Sequence, residues 1–437
     1  MAEPVPPVHF PKSLWAEAAP PRRQAPPLRG AQEADTVIIG GGLTGLSAAL
    51  HLARAGQKVI VIEAMAVGWG ASGRNNGQVI PTMTAAEPDL IAARYGAAGE
   101  RFARLIGNSA SVLFDLVRDE GIAAEAEQTG WFQPAHSPGR VQLSRRRVEA
   151  WSRFGFPARL LGREETTALL GSDFWYGGML NPTGGHVNPL ALVRGLAAAA
   201  ERHGAVIHEA SPATGWQRHA DGWLVTTAEG RVRARNFLLC TNAYTGEIVP
   251  GLARRLARSI VPVLSWQMAT PPIPEALRAA ILPGRQAVSD TRGDLRFFRY
   301  DARGRLITGG VVMGAHDVAR RVAQKAAANL AEAFPALGLQ PMTHVWSGYL
   351  GMTWDRFPRV HNLGPDGWAW MACNGRGVAL AVSMGREMAR AVSGAEIGSL
   401  ALPASDPAPL PFHSLARRIA PGYLAWLRRQ DKIDLKS

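Results

Sequence analysis

DTVIIGGGLTGLSAALHLARAGQKVIVIE, residues 35–63, is the stretch that decides the predicted fold. A β-branched apolar run ends at Gly40-Gly41-Gly42, a small-residue amphipathic segment follows over 43–55, and a second apolar run over 59–62 ends on Glu63. This pattern predicts strand, glycine turn, helix and strand within about 30 residues, the context in which G-x-G-x-x-G indicates dinucleotide binding. Outside such a unit, the same glycines would indicate only a turn of another α/β protein.

Each residue type in this unit has its own predicted task. Gly40 permits the tight turn, Gly42 lets backbone N–H groups approach a pyrophosphate, and Gly45 lets the helix pack closely on the strand. The glutamate that closes the unit lies at the carboxyl end of a strand, where an acid accepts ribose hydroxyls. The helix N-terminus, with unpaired N–H groups and the positive end of the dipole, adds Leu43 and Thr44 to the predicted contacts.

The length of the chain predicts two domains, and its charge does not predict a nucleic-acid partner. The chain has 437 residues and a formal net charge of +13, with lysine only at positions 12, 58, 325, 432 and 436. One hydrophobic core rarely serves so long a chain. The arginines are scattered, whereas a nucleic-acid-binding protein concentrates its positive charge on one stripe.

Cysteine spacing and hydropathy bear on metal binding and location. Cys240 and Cys373 lie far apart in apolar runs without metal-ligand spacing, so packed thiols in a reducing cytoplasm and no metal site are expected. The proline-rich N-terminus lacks the pattern of a secretory signal. No uninterrupted apolar run reaches the roughly 18 residues of a membrane span. We therefore expect a cytoplasmic protein with no membrane span.

Composition and periodicity divide the chain into alternating segments. Helices are predicted over 99–121, from Asn188-Pro189 to Gly204, over 318–334, from the stretch 374–378 to about 392, and over 415–426. A buried strand over 237–240 ends at Thr241-Asn242 and returns the chain to the first domain. The predicted segments are an extended N-terminal arm (1–33), a dinucleotide-binding domain (34–88, 181–257 and 343–396), a substrate domain (89–180 and 258–342) and a C-terminal extension (397–437).

A second glycine-rich loop, GWGASGRNNGQ at 68–78, follows the second strand of the nucleotide unit. Its glycines, amides and single guanidinium suit a loop that wraps a polar group close to the backbone, and we expect it to contact the cofactor. The alternative is a cluster of surface turns. A third such stretch, NGRGV at 374–378, opens a predicted helix near the C-terminus.

Taken in order, several segments resemble the FAD-dependent D-amino-acid oxidase/sarcosine oxidase superfamily. The segments are GGGLTG with the glutamate that follows, ASGRNNGQ, GGHVNP, LLCTNAYT, the RFFRY-to-ITGG hairpin and CNGRGVAL. Their order and wording are most similar to gamma-glutamylputrescine oxidase-like proteins, from about residue 14 to 428. The resemblance implies an α/β fold, with a Rossmann-like three-layer FAD domain interrupted by a substrate domain that has a mixed, largely antiparallel sheet. Because residues 67–72 contain no histidine, the expected FAD is non-covalent.

The resemblance also assigns cofactor contacts residue by residue. The family usually has GRNGGQ, and here Asn76 replaces a glycine; asparagine tolerates a left-handed backbone, and its amide can project into the site. The remaining assignments are Arg74, Asn75, Asn76, Gly77 and Gln78 along the pyrophosphate, ribityl chain and ring, Val206 at adenine, Thr241 and Asn242 at a strand end, and Gly375, Arg376, Gly377 and Val378 at a helix N-terminus facing the flavin.

The resemblance implies oxidation of an amine or amino acid, with a hydride passing to the flavin and O2 as the expected acceptor, giving hydrogen peroxide. Arg299 occupies about the place of a carboxylate-binding arginine in relatives, although an outward-pointing strand arginine is an equal alternative. Tyr349 and Asn76 are the other two candidates for catalytic residues. The other aromatic candidates for the flavin face are Tyr300, Trp346 and Trp354, with core packing as the alternative. His186 and His361 are expected to be structural.

Three other functions stay open at this point. A flavin dehydrogenase of the same fold would pass electrons to a quinone or a protein partner. A nicotinamide-linked dehydrogenase would use the same glycine fingerprint without flavin. A flavin-binding subunit without activity ranks low because the chain carries a complete predicted substrate domain. The predicted partners are a small amine or amino acid and O2. The substrate (a gamma-glutamylated amine, an N-methyl amino acid or a D-amino acid) and the oligomeric state are left open.

Overall fold

Two large β-sheets organise the part of the chain that the computed structural model describes, residues 8–83, 86–294, 296–310, 316–415, 429–431 and 433. The strands are β1 (Gly30–Ile39), β2 (Val59–Ile62), β3 (Gln78–Val79), β4 (Trp131–Pro134), β5 (Arg159–Leu161), β6 (Gly178–Asn181), β7 (Gly185–His186), β8 (Val206–His208), β9 (Gly215–His219), β10 (Gly222–Thr226), β11 (Gly230–Leu239), β12 (Val261–Pro272), β13 (Ala287–Ser289), β14 (Phe297–Tyr300), β15 (Arg305–Gly310), β16 (His344–Met352), β17 (Arg359–Gly364), β18 (Gly367–Met371) and β19 (Ala404–Ser405). The helices are α1 (Leu14–Ala18), α2 (Leu43–Arg54), α3 (Pro88–Tyr95), α4 (Ala97–Asp119), α5 (Pro138–Arg153), α6 (Arg163–Leu170), α7 (Pro189–Arg202), α8 (Arg254–Ala257), α9 (Glu275–Ala280), α10 (Val318–Ala333) and α11 (Gly377–Val392).

The first sheet is built around β1, the strand of the opening stretch. Its order is β19-β17-β18-β11-β1-β2-β8, and the β9–β10 hairpin joins the edge of β11. β8, β2, β1, β11 and β18 run parallel, so their carboxyl ends meet at one edge. The chain order reverses beside β1, which has β2 on one side and β11 on the other. In open α/β sheets that reversal marks the crevice where ligands bind.

Small residues let the helices of this domain approach one another closely. A Cβ added at Gly45 of α2 would lie 2.1 Å from the carbonyl oxygen of Gly40, so only glycine fits against the turn. A Cβ at Gly385 of α11 would lie 2.5 Å from Cβ of Ser47 on α2. The α2 and α11 helices therefore cross with their backbones nearly in contact, and both belong to one large buried cluster. Among the described helices, none has the length and apolar character needed to cross a membrane.

The second sheet forms the substrate domain and has the order β16-β12-β15-β14-β13-β4-β6-β5. Its pairings are antiparallel except that of β13 with β4, as predicted for a mixed, largely antiparallel sheet. One face packs in a core that includes Phe298, Tyr300 and Leu330 of α10. Alternate residues, such as Arg299, point to the opposite face and contact the loop that follows β2. That second face therefore meets the nucleotide-binding domain.

Strand pairing moves three of the predicted segment boundaries. The third segment of the nucleotide-binding domain is predicted to begin at 343, which is too early. β16 still belongs to the second sheet, because it pairs with β12 along its whole length, from Val261↔Met352 to Ala269↔His344. β1 begins at Gly30 rather than at 34. The predicted C-terminal extension contributes β19, which pairs with β17 in the first sheet. Each correction depends on a partner strand far away in the sequence.

The predicted N-terminal arm is wrong as an extended surface segment. It contains α1, capped by Ser13, whose Oγ accepts a hydrogen bond from the Ala16 N–H at 3.1 Å. Leu14 and Trp15 are fully buried, and Trp15 packs edge-on against Trp346 of β16 with ring centroids 5.9 Å apart. The proline-rich composition of this segment gives no sign that α1 packs into the core. The helix predicted over 415–426 lies, except for its first residue, outside the described residues.

Candidate cofactor and active site

The glycine turn closes at the carboxyl edge of β1 and is sterically restricted to glycine. Gly40 has a φ of +114°, and a Cβ there would lie 2.8 Å from the carbonyl oxygen of Cys240. A Cβ at Gly42 would lie 2.7 Å from Oγ of Ser72. The turn is thus framed by the end of β11 on one side and by the second glycine-rich loop on the other. A side chain at either position would fill the cradle that a pyrophosphate needs.

Glu63 lies across this turn, as its position at the end of β2 predicts. Its Oε2 accepts a hydrogen bond from the Gly41 N–H at 2.6 Å, and its Oε1 accepts one from the Met65 N–H at 2.9 Å. Burial raises the pKa of this carboxyl, while those two N–H donors act in the opposite direction. At the start of α2, the Leu43 N–H donates to Oγ of Ser72 at 3.0 Å, and Thr44 is buried beside it. These groups bring an anion-binding helix end and a carboxylate together at one edge.

Val206 lies away from that edge, so this geometry does not support its assignment to adenine, which stays a prediction. In the parallel pair β2–β8, Val206 is opposite Ile60, whereas His208 is opposite Ile62 at the carboxyl end. Two residues of strand separate Val206 from the edge by roughly 7 Å, and its side chain is 41% exposed. The residues that continue the edge are those after His208, since the Ser211 N–H donates to the carbonyl oxygen of Glu63 at 2.9 Å.

Arg74 of the second glycine-rich loop has its guanidinium occupied by protein groups. Nη2 donates to the Tyr244 hydroxyl at 2.7 Å, Nη1 donates to the carbonyl oxygen of Ser347 at 3.0 Å, and the group lies 4.8 Å from the centroid of the Trp69 ring. Burial lowers the pKa of this guanidinium, and the adjacent Tyr244 acts against the shift. The side chain of Arg74 therefore joins the loop to β16, and the predicted position of this residue along the cofactor stays a prediction.

The asparagines of the same loop shape its backbone. Nδ2 of Asn75 donates to the carbonyl oxygen of Ser72 at 2.8 Å, and its Oδ1 accepts from the Gly77 N–H at 2.8 Å. Oδ1 of Asn76 accepts from the Gln78 N–H at 2.9 Å. The left-handed residue is Gly77, with a φ of +77°, whereas Asn76 has no positive φ. Asparagine is therefore tolerated at 76 for a different reason than predicted: the glycine conformation is required one residue later.

Gln78 ends the loop with a buried carbonyl that has no partner. Its Nε2 donates to the carbonyl oxygen of Val288 at 2.8 Å, its side chain is 3% exposed, and its Oε1 has no hydrogen bond. Gln267 on β12 likewise has a buried Oε1 without a partner. A buried acceptor left unpaired costs about 1–3 kcal/mol, so two such groups between the domains indicate that a ligand donor is expected there.

Arg299 is buried at the junction of the two domains and is bound to backbone carbonyls. Nε donates to the carbonyl oxygen of Asn76 at 2.6 Å, Nη2 to that of Val187 at 2.8 Å and Nη1 to that of Tyr300 at 2.9 Å. Burial lowers the pKa of Arg299 to about 10. A fork already shared among three carbonyls is not free for a carboxylate. The alternative of an outward-pointing arginine is wrong, since Arg299 is buried. The carboxylate-binding role stays a prediction, and this geometry does not support it.

The four aromatic residues predicted to line the flavin face, Tyr300, Trp346, Tyr349 and Trp354, lie in different environments. Tyr300 belongs to the core behind the second sheet, where its hydroxyl donates to the carbonyl oxygen of Ile281 at 3.2 Å and burial raises its pKa to about 12. Trp354 is 87% exposed. Trp346 donates through Nε1 to the carbonyl oxygen of Arg74 at 2.8 Å. Tyr349 remains near the domain junction, packed against Tyr244 with ring centroids 6.0 Å apart. Tyr300 and Trp354 are thus not part of this wall.

The loops after β11 and β18 are joined by Asn242. Its Oδ1 accepts a hydrogen bond from the Ala372 N–H at 2.9 Å, and its φ is +43°. Thr241 beside it shares a hydrogen bond between hydroxyls with Thr245 at 2.7 Å. Both residues therefore fix the edge of the sheet with their side chains. The two histidines predicted to be structural are buried, and burial lowers the pKa of both His186 and His361.

The turn before α11 is strongly bent and places one cation between the domains. Gly375 has a φ of +80°, and the helix begins at Gly377, followed by the buried Val378. Arg376 is 6% exposed, and its guanidinium lies 5.0 Å from the centroid of the Trp131 ring. Burial lowers the pKa of Arg376 to about 9. The side chain of Arg376 therefore points to the substrate sheet and not to solvent.

A sequence profile of the DAO family, described as FAD dependent oxidoreductase, matches residues 35–391. The chain belongs to this family. The resemblance predicted from the motifs, the Rossmann-type fold class and FAD as cofactor are thereby confirmed, and the protein is a flavin-dependent oxidoreductase. The cradle formed by Gly40 and Gly42, the start of α2 and the carboxylate of Glu63 fit the adenosine diphosphate half of FAD. The unpaired Oε1 of Gln78 fits a donor from the other half.

Individual relatives agree with the family assignment. The chain is 32% identical to "Probable oxidoreductase OrdL" of Rhizobium meliloti (strain 1021) over 380 residues, 85% of this chain and 86% of that protein. It is 32% identical to gamma-glutamylputrescine oxidoreductase of Escherichia coli (strain K12) over 370 residues, 82% and 84% of the two chains.

Solved structures share the fold at lower identity. L-proline dehydrogenase from P. horikoshii matches with a TM-score of 0.70 and 21% identity, over 83% of this chain and 94% of that one. Glycine oxidase from Geobacillus kaustophilus matches with a TM-score of 0.69 and 19% identity, over 84% and 96%. At these identities, the likeness shows that the architecture is common to the three chains.

Several residues at the junction of this DAO-family protein escaped sequence reasoning. Trp131 and Ser289 lie on adjacent strands of the substrate sheet, and the Trp131 Nε1–H donates to Oγ of Ser289 at 2.8 Å. Trp15 reaches the same region from α1 and donates to the carbonyl oxygen of Asn75 at 2.8 Å. None of them belongs to a glycine-rich motif. Only the alternation of buried positions along each strand hints at them, and alternation does not say which face meets the cofactor.

Proposed function

We propose that this DAO-family protein oxidises a carbon–nitrogen bond of an amine or amino acid, giving an imine that hydrolyses to a carbonyl compound and an amine or ammonia, with O2 as the electron acceptor. The observation that carries the proposal is the meeting of α11 with the face of the substrate sheet, where Arg376 lies on Trp131. A helix N-terminus and a buried cation meet there, and Gln78, which has the unpaired acceptor, donates to Val288 next to Ser289. The E. coli relative, named a gamma-glutamylputrescine oxidoreductase, supports a gamma-glutamylated amine as the first substrate to test.

FAD, when bound, accepts the hydride from the carbon that carries the nitrogen. The chain's own contribution is orientation and charge stabilisation. The first N–H groups of α11, those of Gly377 and Val378, have no carbonyl within the helix to bond, and the positive end of the helix dipole lies there. Such fixed dipoles stabilise a negative charge that develops beside them without any reorganisation. The left-handed turn at Gly375 aims this helix end at the junction.

Deprotonation of the substrate amine does not require a side-chain base in this proposal. His186 is buried 3.5 Å from Nη1 of Arg299, and burial together with that cation lowers its pKa well below the usual value. It is hydrogen-bonded through Nε2 to the carbonyl oxygen of Arg285 at 3.0 Å, so it is occupied as a structural group. The amine then loses its proton to water before it binds, and the protein selects the neutral form.

Retention of FAD is proposed to be non-covalent. Residues 67–72 contain no histidine. Burial raises the pKa of the Cys373 thiol, which accepts a hydrogen bond from Nδ2 of Asn242 at 3.8 Å. A thiol that resists ionisation is a poor nucleophile toward a flavin ring. Release of FAD on denaturation in acid, with no flavin left on the polypeptide, is the expected result. A cytoplasmic location accompanies this proposal, and cell fractionation tests it.

The experiment that tests the function is an anaerobic mixing series. Purified holoprotein is mixed without oxygen with gamma-glutamylated amines, N-methyl amino acids and D-amino acids, and the flavin absorption is followed. Bleaching by at least one class is expected, with gamma-glutamylated amines first. Air is then admitted and the peroxide formed per substrate consumed is measured. A ratio near one supports the oxidase, a ratio near zero indicates a dehydrogenase with another acceptor, and absence of bleaching by every class overturns the proposal.

A further inference from the structure

The described part of the N-terminal arm, residues 8–29, contacts the second glycine-rich loop near both of its ends. At the beginning of the loop, the Trp69 Nε1–H donates to the carbonyl oxygen of His9 at 3.2 Å. Near the end of the loop, the Trp15 Nε1–H donates to the carbonyl oxygen of Asn75 at 2.8 Å. The arm lies before the part of the chain that the family profile matches, so the profile does not describe these contacts.

Trp15 of the arm is wedged between the two domains. Its side chain is fully buried, and the guanidinium of Arg299 lies 5.0 Å from the centroid of its ring. It belongs to a buried cluster that contains residues of α7 (Leu190, Ala191) and of the substrate sheet (Ala269, Ile307, Trp346). One indole therefore joins the nucleotide-binding domain, the substrate domain and the loop between them.

Glu209, which follows β8 directly, fastens the arm a second time. Its side chain is buried, and its Oε2 accepts hydrogen bonds from the Ala25 N–H and from Nη1 of Arg22, the latter at 2.7 Å. Its Oε1 accepts one from the Val67 N–H at 2.6 Å, just before the loop begins. A single buried carboxylate thus ties the arm to the backbone that enters the loop.

The loop is the wall of the cofactor cradle that opens at the lower free energy. Within it, Ser72 accepts a hydrogen bond from the Leu43 N–H at 3.0 Å and lies beside Gly42, whereas the opposite wall is the end of β11. β11 is paired with β1 on one side and with β18 on the other, so its movement would break the sheet. The loop belongs to neither large sheet, and segments with few backbone bonds open more readily than strands inside a sheet. A ligand held between two walls leaves by the one that opens.

We propose that the arm is a clamp on this loop, with Trp15 as its positioning residue, and that FAD enters and leaves the protein when the arm undocks. The proposal requires only that FAD binds in the cradle, and it does not depend on which amine is oxidised or on the electron acceptor. Coupling between two equilibria is reciprocal, so bound FAD favours the docked arm by the same factor by which the docked arm favours FAD. The clamp therefore has two measurable consequences, in the release of FAD and in the accessibility of the arm.

Release of FAD from the purified holoprotein tests the first consequence. After dilution, the rise of free-flavin fluorescence gives the rate constant of release, which follows the fraction of molecules whose arm is undocked. Trp15→Phe keeps a buried ring and removes the hydrogen bond to Asn75, and Arg22→Gln removes the cation that is paired with Glu209. For each variant we expect the rate constant to rise about three- to tenfold, as for the loss of one hydrogen bond.

Two matched variants separate the clamp from stability in general. Arg29→Gln removes an arginine of the same arm whose ion pair with Glu229 is exposed, with 49% and 55% of the two side chains accessible. Trp175→Phe changes a tryptophan that is as buried as Trp15 but lies in the core behind the substrate sheet. Both variants should release FAD within about twofold of the wild-type rate, although Trp175→Phe also lowers the thermal midpoint.

Limited proteolysis tests the second consequence. Trypsin is added to the holoprotein and to the protein freed of FAD, and mass spectrometry follows cleavage after Lys12 and Arg23, two exposed residues of the arm. Cleavage of a segment that opens and recloses rapidly follows the population of its open form, so we expect cleavage of the arm to be at least about tenfold slower with FAD bound. Cleavage after Arg303, in the exposed turn between β14 and β15, is the internal control and should differ less than about twofold between the two forms.

Three results would overturn the inference. One is FAD release within about twofold of the wild-type rate in both Trp15→Phe and Arg22→Gln. Another is release from Trp175→Phe as fast as from Trp15→Phe, because the effect would then be one of stability in general. The third is equal cleavage of the arm with and without FAD. If Trp15→Phe does not fold, Arg22→Gln carries the comparison. Failure of the proposed function is distinguishable, since no amine would then bleach the flavin while FAD release and cleavage still depend on the arm.

Discussion

Replacement of Arg299 by methionine tests whether this residue joins the two domains. Methionine keeps most of the side-chain length and removes the three hydrogen bonds to the carbonyl oxygens of Asn76, Val187 and Tyr300, at 2.6, 2.8 and 2.9 Å. A hydrogen bond from a charged donor contributes about 1.5–3 kcal/mol, and the contributions of neighbours are not additive, so a loss of about 3–5 kcal/mol is expected.

The thermal midpoint of unfolding measures this loss. An unfolding entropy of about 2.1 cal/mol/K per residue gives roughly 0.9 kcal/mol/K for 437 residues. The expected fall in the midpoint is therefore about 3 to 6 °C for Arg299→Met. The FAD content should fall as well, because Arg299 anchors the backbone of Asn76 in the flavin loop. Arg303→Met, in an exposed turn of the same hairpin, is the matched control and should shift the midpoint by less than about 1 °C.

The opposite pattern would refute this reasoning. If Arg299 binds the substrate carboxylate, Arg299→Met leaves the midpoint close to that of the wild type and weakens acetate binding at least about tenfold. If Arg299 is structural, the fraction of the variant that retains FAD binds acetate within about twofold of the wild type. The two hypotheses differ in both readouts, so a single preparation decides between them.

Two further predictions follow from local geometry and pKa shifts. Gly45→Ala places a methyl 2.1 Å from the carbonyl oxygen of Gly40 and should weaken FAD binding at least about tenfold, whereas Gly139→Ala, with open space around it, should leave FAD binding unchanged; equal FAD affinities would contradict this. Burial and two nearby arginines lower the pKa of His51 from 6.5 to about 4, so the folded state binds fewer protons between these values and stability falls as the pH falls through that window. His51→Gln should therefore lose about 1–2 kcal/mol less than the wild type between pH 7 and 5 in denaturant titrations, and equal losses would refute the assignment.

The glycine motifs could be predicted because their requirement is local. Gly40, Gly42 and Gly45 are needed by contacts inside one strand–turn–helix unit and its immediate neighbours, so the spacing in the sequence is sufficient to recognise them. The same is true of the helix at Asn188, whose Oδ1 accepts from the Ala191 N–H at 3.2 Å as the cap pattern predicts. Requirements of this kind involve residues that are close in the sequence, so a sequence pattern is sufficient to predict them.

The predictions that failed depended on which distant strand a segment joins. β16 was assigned to the wrong domain because nothing inside His344–Met352 reveals that β12 is its partner. The sequence likewise predicts the strand that begins at Val206 but not its register, which places Val206 opposite Ile60 and away from the carboxyl edge. Trp15 was placed in a surface arm because a proline-rich segment gives no sign of the pocket that receives its indole. In each case the deciding contact lies far away in the sequence.

The sequence by itself determined the nucleotide-binding unit, the class of the fold and the family, since these follow from short-range patterns of glycine, apolar and capping residues. Only the tertiary structure decided which groups surround the two buried arginines, Arg299 and Arg376. Each of these arginines belongs to a sequence motif, and nothing in the two motifs tells which groups will contact the guanidinium. Packing then gives Arg299 three backbone carbonyls and places Arg376 on Trp131 beside a carboxylate that is already paired. These surroundings are a property of the assembled domains, because Asn76, Val187 and Trp131 come from segments more than a hundred residues away from the arginine that they contact.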